Sequence, residues 1–224
     1  MSGNGSAPIG AFLFDMDGVL VDSNPLHCRA WEEFNRRYGI ETTPEMHQRM
    51  YGKRNDEIVR DFFGDSLSED QVAEHGRAKE ALYREMAAGQ LAEMLVPGVR
   101  EFLDKYHYLQ MAVATNAEPE NVNFLLDRAR LRGFFRVVVD GHQVERPKPN
   151  PDIYLRAAQL LNTEPARCLV FEDSHSGIAA AVAAGMRVIG LTTTHVNLPR
   201  TTLTADNFLS RDLNSWLEAQ LRPR

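Results

Sequence analysis

Cysteine is scarce and unpatterned: Cys28 and Cys168 stand far apart, with no C-x-x-C around either. That excludes a disulfide framework and a cysteine-built zinc site, and it suits a reducing, cytoplasmic compartment. Basic runs are missing as well. Lys and Arg are scattered and the formal net charge is -6, so the chain lacks the electrostatic footprint of a nucleic-acid binder. No apolar run approaches the roughly 20 residues of a membrane span. Met1 to Gly10 has neither the basic nor the apolar part of a signal peptide, and is expected to be a flexible tail. No repeat or low-complexity tract is present. No Gly-x-Ser-x-Gly elbow surrounds Ser174-His175, which argues against a serine nucleophile and leaves His175 as a neutral edge residue. What remains is a chain of 224 residues, enough for one or two domains with a real core. It is expected to be a monomer, with neither nucleic acid nor membrane as a partner.

The first apolar run, Ala11-Phe12-Leu13-Phe14, stops at Asp15-Met16-Asp17-Gly18. It reads as a buried parallel strand whose carboxyl end delivers Asp15 into a crevice. Residues two apart in extended chain project to one side, so Asp15 and Asp17 face the same small volume. Two such carboxylates repel until one takes a proton or a cation neutralises them. A hard, oxygen-seeking cation such as Mg²⁺ fits, since it keeps waters and leaves room for a phosphate oxygen. A calcium EF-hand is excluded, because Gly18 is fourth rather than sixth and no Glu follows before Glu32.

Asp22-Ser23-Asn24-Pro25 opens a helix that Gly39 ends, with Ser23 or a neighbour as side-chain cap. From there to Met94 the pattern contains helices over Asn55 to Phe63 and Ser68 to Ala88 but no strand, an all-helical insert of roughly 70 residues. After Val96-Pro97-Gly98, helix and strand alternate. Helices over Gly98 to Tyr106, Pro119 to Arg130, Asp152 to Leu161 and Gly177 to Ala184 precede strands over Met111 to Thr115, Val137 to Asp140, Cys168 to Glu172 and Val188 to Leu191. Arg211 to Leu221 reads as a closing amphipathic helix. The alternation predicts an α/β fold, a doubly wound parallel sheet with right-handed crossovers. Residues 1–21 and 95–224 form its core domain, and 22–94 a helical cap inserted at the sheet's carboxyl edge, placed to act as a lid.

Three further stretches sit at strand ends. Thr115-Asn116, before a helix start, reads as a phosphate cradle or as a simple turn cap. In Arg146-Pro147-Lys148-Pro149 the flanking prolines stiffen the loop that presents Lys148, the alternative being a solvated lysine on a surface turn. Leu169-Val170-Phe171 ends in Glu172-Asp173. Asp173 would join Asp15 on a metal, while Glu172 ligates or orients a water or Lys148.

Together, Asp15-x-Asp17-Gly-Val-x-x-Asp22-Ser, Thr115-Asn116, Lys148 between prolines and Glu172-Asp173 resemble the four motifs of the haloacid dehalogenase superfamily, over about residues 11 to 191. The nearest likeness is to its β-phosphoglucomutase-like enzymes and sugar-phosphate phosphatases, whose helical cap follows the first motif. The resemblance implies a Rossmann-like core and Mg²⁺-dependent chemistry through an aspartyl-phosphate. Asp15 would attack phosphorus, and Asp17 would protonate the leaving alcohol and then activate water. Lys148, Thr115 and the metal would stabilise charge on the transferring oxygens. The implied metal set is Asp15, Asp17, Asp173 and Glu172. Asp17 would ligate through its backbone carbonyl, because its side chain needs a proton near neutral pH.

In the cap, His27 and Trp31 match the mutase-like pattern along with Arg29, and Lys79 with Tyr83 lies at a similar place on a later helix. Gly52-Lys53-Arg54 resembles the substrate-specificity loop without its Ser-Arg order. The alternatives are a helix-start histidine, a core tryptophan and solvated charges. Asn116 and these cap residues are the candidate substrate contacts. Ala117-Glu118-Pro119 lacks the Ser-x-Ser-Lys-Asn run with which mutases grip a second phosphate, and Glu118 would repel one. The expected activity is therefore hydrolysis of a small phosphorylated sugar or polyol, a phosphate monoester. The alternatives are β-phosphoglucomutase and a catalytically silent binder of the same fold; a dehalogenase fits Asp17, Lys148 and the Glu172-Asp173 pair less well.

Overall fold

Strand β1, Ala11–Phe14, is buried on both faces: Phe12 and Phe14 join one apolar layer, Ala11 and Leu13 the other. Burial on both sides is the mark of a central strand in a parallel sheet. The computed structural model describes residues 7–51 and 53–221. Among them, β1 is followed by β2 (Gln110–Ala114), β3 (Val137–Val139), β4 (Cys168–Glu172), β5 (Arg187–Leu191) and β6 (Leu203–Ala205), in the order β3-β2-β1-β4-β5-β6 with every pairing parallel. The chain leaves β1 toward β2 on one side and reaches β4 on the other. The crevice between the carboxyl ends of β1 and β4 is thus the switch point where ligands bind in such sheets.

Helices α5 (Val99–Lys105), α6 (Pro119–Arg128) and α9 (Arg211–Leu221) cover the phenylalanine face, where Phe14 stacks on Phe171 at 4.7 Å. Helices α7 (Asp152–Leu160) and α8 (His175–Ala183) cover the face of small side chains. α8 starts two residues before the predicted Gly177, because Ser174 caps it by accepting from the Gly177 N–H at 3.0 Å.

Helices α1 (Asn24–Arg37), α2 (Pro44–Met50), α3 (Asn55–Phe63) and α4 (Glu69–Ala87) form the inserted all-helical cap around their own core of Trp31, Phe34, Val59, Phe62 and Val72. The chain crosses between cap and sheet twice, and the crossings pair: Val21 bridges Leu95, and Asp22 N–H donates to Met94 O at 2.7 Å. Among the described residues no helix is long and apolar enough to cross a membrane.

Three expectations are corrected. The first ten residues are not all a free tail. Residues 1–6 lie outside the described residues, but Ile9 is buried, Gly10 N–H donates to Arg167 O and Arg187 donates to Ala7 O, each bond at 2.8 Å. Ser23 makes no side-chain cap on α1, because its hydroxyl is turned to Asp17. Two short elements, α2 and β6, were not predicted; the first has only Met46 and Met50 to bury, and the second is three residues long.

Candidate active site

The acids that end β1 and β4 meet at the switch point. Asp15, Glu172 and Asp173 are all buried, and one oxygen of each lies within 4.8 Å of the others. Lys148, 3 % exposed, reaches in from the proline-flanked loop, with Nζ at 2.7 Å from Glu172 Oε1 and 3.0 Å from Asp15 Oδ1. The solvated-lysine alternative is thereby overturned. Asn116 Oδ1 accepts the Lys148 backbone N–H at 3.2 Å, so the β2 end fixes the loop that carries the ammonium. Thr115 is buried beside it, its hydroxyl accepting the Ala117 N–H at 3.2 Å.

The carboxylates are not equivalent. Glu172 is fully committed: Oε1 accepts from Lys148 and the Tyr154 hydroxyl, and Oε2 from the N–H groups of Asp173 and Ser174 and the Ser174 hydroxyl. Burial alone would raise it, but Lys148 and these donors hold it below the usual carboxylate range. For Asp15, burial outweighs the attraction of Lys148 and, with repulsion from Glu172 and Asp17, pushes it up to about 7. Burial and the same repulsion from Glu172 and Asp15 keep Asp173 well above the ordinary range, although Thr194 Oγ1 and Asn24 Nδ2 both donate to its Oδ2. Asp15 Oδ1 has only the Lys148 ammonium beside it, at 3.0 Å, and Lys148 is shared with Glu172. One ammonium for three buried acids, two of them displaced upward, is the donor set of a divalent cation.

Asp17 turns its side chain away from this group. It accepts from Ser23 Oγ and stands 3.5 Å from His27 Nε2. Burial would raise it, but these two partners bring it below the ordinary value. His27 is stacked on Tyr83 at 3.8 Å, and its Nδ1 lies 2.7 Å from Lys79 Nζ. An ammonium can only donate, so Nδ1 accepts and the ring hydrogen sits on Nε2, toward Asp17. Lys79 is itself buried, over the Trp31 ring at 4.9 Å and bonded to Glu80 Oε1 at 2.8 Å. Burial opposes the charge on Glu80, yet Lys79, His27 and the Asn121 amide bring it down to about 2.

A cleft of about 310 Å³ between cap and sheet is lined by Asp15, Asp17, Thr115, Asn116, Lys148 and Asp173 from below and by His27, Trp31, Lys53, Arg54 and Lys79 from above. Its size is at the small end for ligand clefts. Glu172 lies behind the wall. Trp31 is fully buried and serves as the platform for Lys79, while Lys53 and Arg54 sit at the rim near Asp61 and Asp56. Gly52 lies outside the described residues.

A family model described as haloacid dehalogenase-like hydrolase matches residues 9–185. The chain belongs to the haloacid dehalogenase-like hydrolases. Among its relatives, Protein CbbY of Rhodobacter capsulatus is 36% identical over 80% of this chain and 83% of that protein. A phosphorylated carbohydrates phosphatase of Thermotoga maritima is 35% identical over 81% and 84%. A solved β-phosphoglucomutase of Clostridium difficile superimposes with a TM-score of 0.84 over 96% of this chain and 100% of its own; at 24% identity it shows the shared fold alone.

Within this hydrolase several site residues escaped the sequence. Tyr154 on α7 and Thr194 after β5 reach Glu172 and Asp173 from distant segments. Glu80 was readable only as the neighbour of Lys79, and Asn121 and Arg84 gave no local signal of the contacts they make.

Proposed function

We propose that this hydrolase is a Mg²⁺-dependent phosphatase acting on a small phosphorylated sugar or polyol, with Asp15 as nucleophile. The observation that carries the reading is the buried group of Asp15, Glu172, Asp173 and Lys148 under a cleft whose roof brings His27, itself held by Lys79, to Asp17. The relative named as a phosphorylated carbohydrates phosphatase supports the same substrate class. Asp15, Asp173 and the Asp17 carbonyl are assigned to the cation, with Glu172 left to orient Lys148 because both its oxygens are occupied. A bound Mg²⁺ supplies positive charge to the carboxylates and to the phosphoryl oxygens.

Asp15 attacks phosphorus, so that its Oδ–P bond forms as the P–O bond to the alcohol breaks. Lys148 and Thr115 hold the equatorial oxygens. Asp17 gives its proton to the departing alkoxide. It acquires that proton as the phosphate enters, because a nearby anion raises a carboxylate that His27 and Ser23 otherwise keep charged. Asp17 then takes a proton from the water that cleaves the aspartyl-phosphate. Lys53, Arg54 and Asn116 face the rest of the substrate, and the cap, residues 22–94, closes over it.

Phosphate release from hexose, pentose and polyol monophosphates, with and without Mg²⁺, tests this, with Asp15→Asn as the control. Release that requires both Mg²⁺ and Asp15 is expected. Conversion of β-glucose 1-phosphate to glucose 6-phosphate on addition of the bisphosphate, without release, would make the enzyme a mutase. Absence of both reactions and of any trapped phosphoenzyme would make it a binder.

A further inference from the structure

Glu80 and Arg84 lie four residues apart on α4, the spacing at which opposite charges on a helix pair directly. Here each is bonded to the core instead. Arg84 Nη1 donates to Asn121 Oδ1 at 2.7 Å, and Asn121 Nδ2 donates to Glu80 Oε2 at 2.6 Å. The same Nη1 also reaches Glu118 Oε1 at 2.8 Å. Asn121 belongs to the first turn of α6, is 2 % exposed, and so inserts both ends of one amide into a cap ion pair. Behind the inserted amide, the other oxygen of Glu80 holds Lys79, and Lys79 holds His27.

Removing a buried amide from this position would leave the Glu80 and Arg84 partners short of a bond, which is costly while the cap stays seated. Lifting the cap leaves no such debt. Asn121 withdraws, Glu80 and Arg84 are free to pair with each other, and Glu118 turns to water at the N-terminus of α6, where a negative charge is favoured. In both arrangements Glu80 and Arg84 would have a partner, so neither is opposed by an unpaired charge at this contact.

We propose that Asn121 is the positioning residue that seats the cap: it exchanges with the direct Glu80–Arg84 pair, and in the seated state it holds Lys79 and His27 in the site through Glu80. The consequence for turnover rests on the phosphatase reading; the seating itself does not.

Spin labels at Glu74→Cys on α4 and Glu101→Cys on α5, both exposed, in a Cys28→Ser, Cys168→Ser background report the cap-to-core distance in the whole chain without substrate. Asn121→Ala is expected to move the labels from one main distance toward longer ones. If the seated fraction falls to about a tenth, KM for a hydrolysed monoester rises about tenfold while kcat changes far less. Asn121→Asp keeps the side-chain size and the Arg84 contact but sets a carboxylate against Glu80, and is expected to open the cap further. Adding Glu80→Gln restores a donor facing that carboxylate and is expected to bring back the short distance. An unchanged distance distribution in both single variants would overturn the proposal, as would failure of the double variant to recover. If no monoester is hydrolysed, the phosphatase reading fails and the distances still decide the seating.

Discussion

Glycine is required where the buried carboxylates press against backbone. A Cβ on Gly177 would stand 1.6 Å from Glu172 Oε1, and a Cβ on Gly18, which has φ of +75°, would stand 1.8 Å from Asp173 Oδ2. Gly177→Ala is therefore expected to displace Glu172 and with it Lys148, lowering kcat by at least tenfold, about the effect of 1.4 kcal/mol on a barrier. Steady-state rates beside a far-ultraviolet spectrum that shows retained folding check it. Glu80 gives a second outcome at this scale. Its folded value of about 2 lies below the ordinary 4.5, so the stability it contributes is present above 4.5 and disappears as pH falls toward 2. That difference is worth about 3 kcal/mol. Glu80→Gln is expected to be less stable than the wild type by about this amount at neutral pH, with the two urea midpoints converging as the solution is acidified. A constant gap across pH would mean that Glu80 acts by packing alone.

Elements with a strong local signature were legible, and those defined by distant partners were not. β1 and β4 are short apolar runs that stop at acids, so both the strands and the placement of Asp15 and Asp173 at their ends follow from the residues in them. α2 carries a short local signature of its own. Thr43 precedes Pro44, and its hydroxyl accepts the Met46 N–H at 3.3 Å, a cap followed by proline at the first helical position. Thr43→Ala is expected to cost about 1 kcal/mol, read as a lower urea midpoint, while leaving turnover unchanged because Thr43 does not line the cleft. β6 offers no such handle: three residues carry no period, and they become a strand only because β5 is there to pair with. The Asn121 contacts are of the same kind, since a buried amide between two helices of different units is decided by tertiary packing and leaves no pattern along the chain.

At the scale of the whole molecule, folding encloses three carboxylates around one ammonium, and the imbalance must be met by protons or by a cation. A cation that binds the folded chain and not the unfolded one adds stability by mass action, about 2.7 kcal/mol at a hundred times its Kd. In a chain of this length that corresponds to a Tm higher by roughly 5–10 °C. Lys148→Met removes the ammonium and leaves the acids facing each other. Without added cation it is expected to lose about 3–5 kcal/mol, the usual result of breaking a buried pair from one side. Mg²⁺ should then recover part of the loss and raise the Tm of this variant more than that of the wild type, because its carboxylates have no other neutralising charge. Thermal unfolding of both proteins across a Mg²⁺ titration reads the difference without any substrate. If Mg²⁺ moves neither transition, the three acids are held together by protons instead, and the upward displacement of Asp15 and Asp173 is the resting state of the site rather than the imprint of a cation.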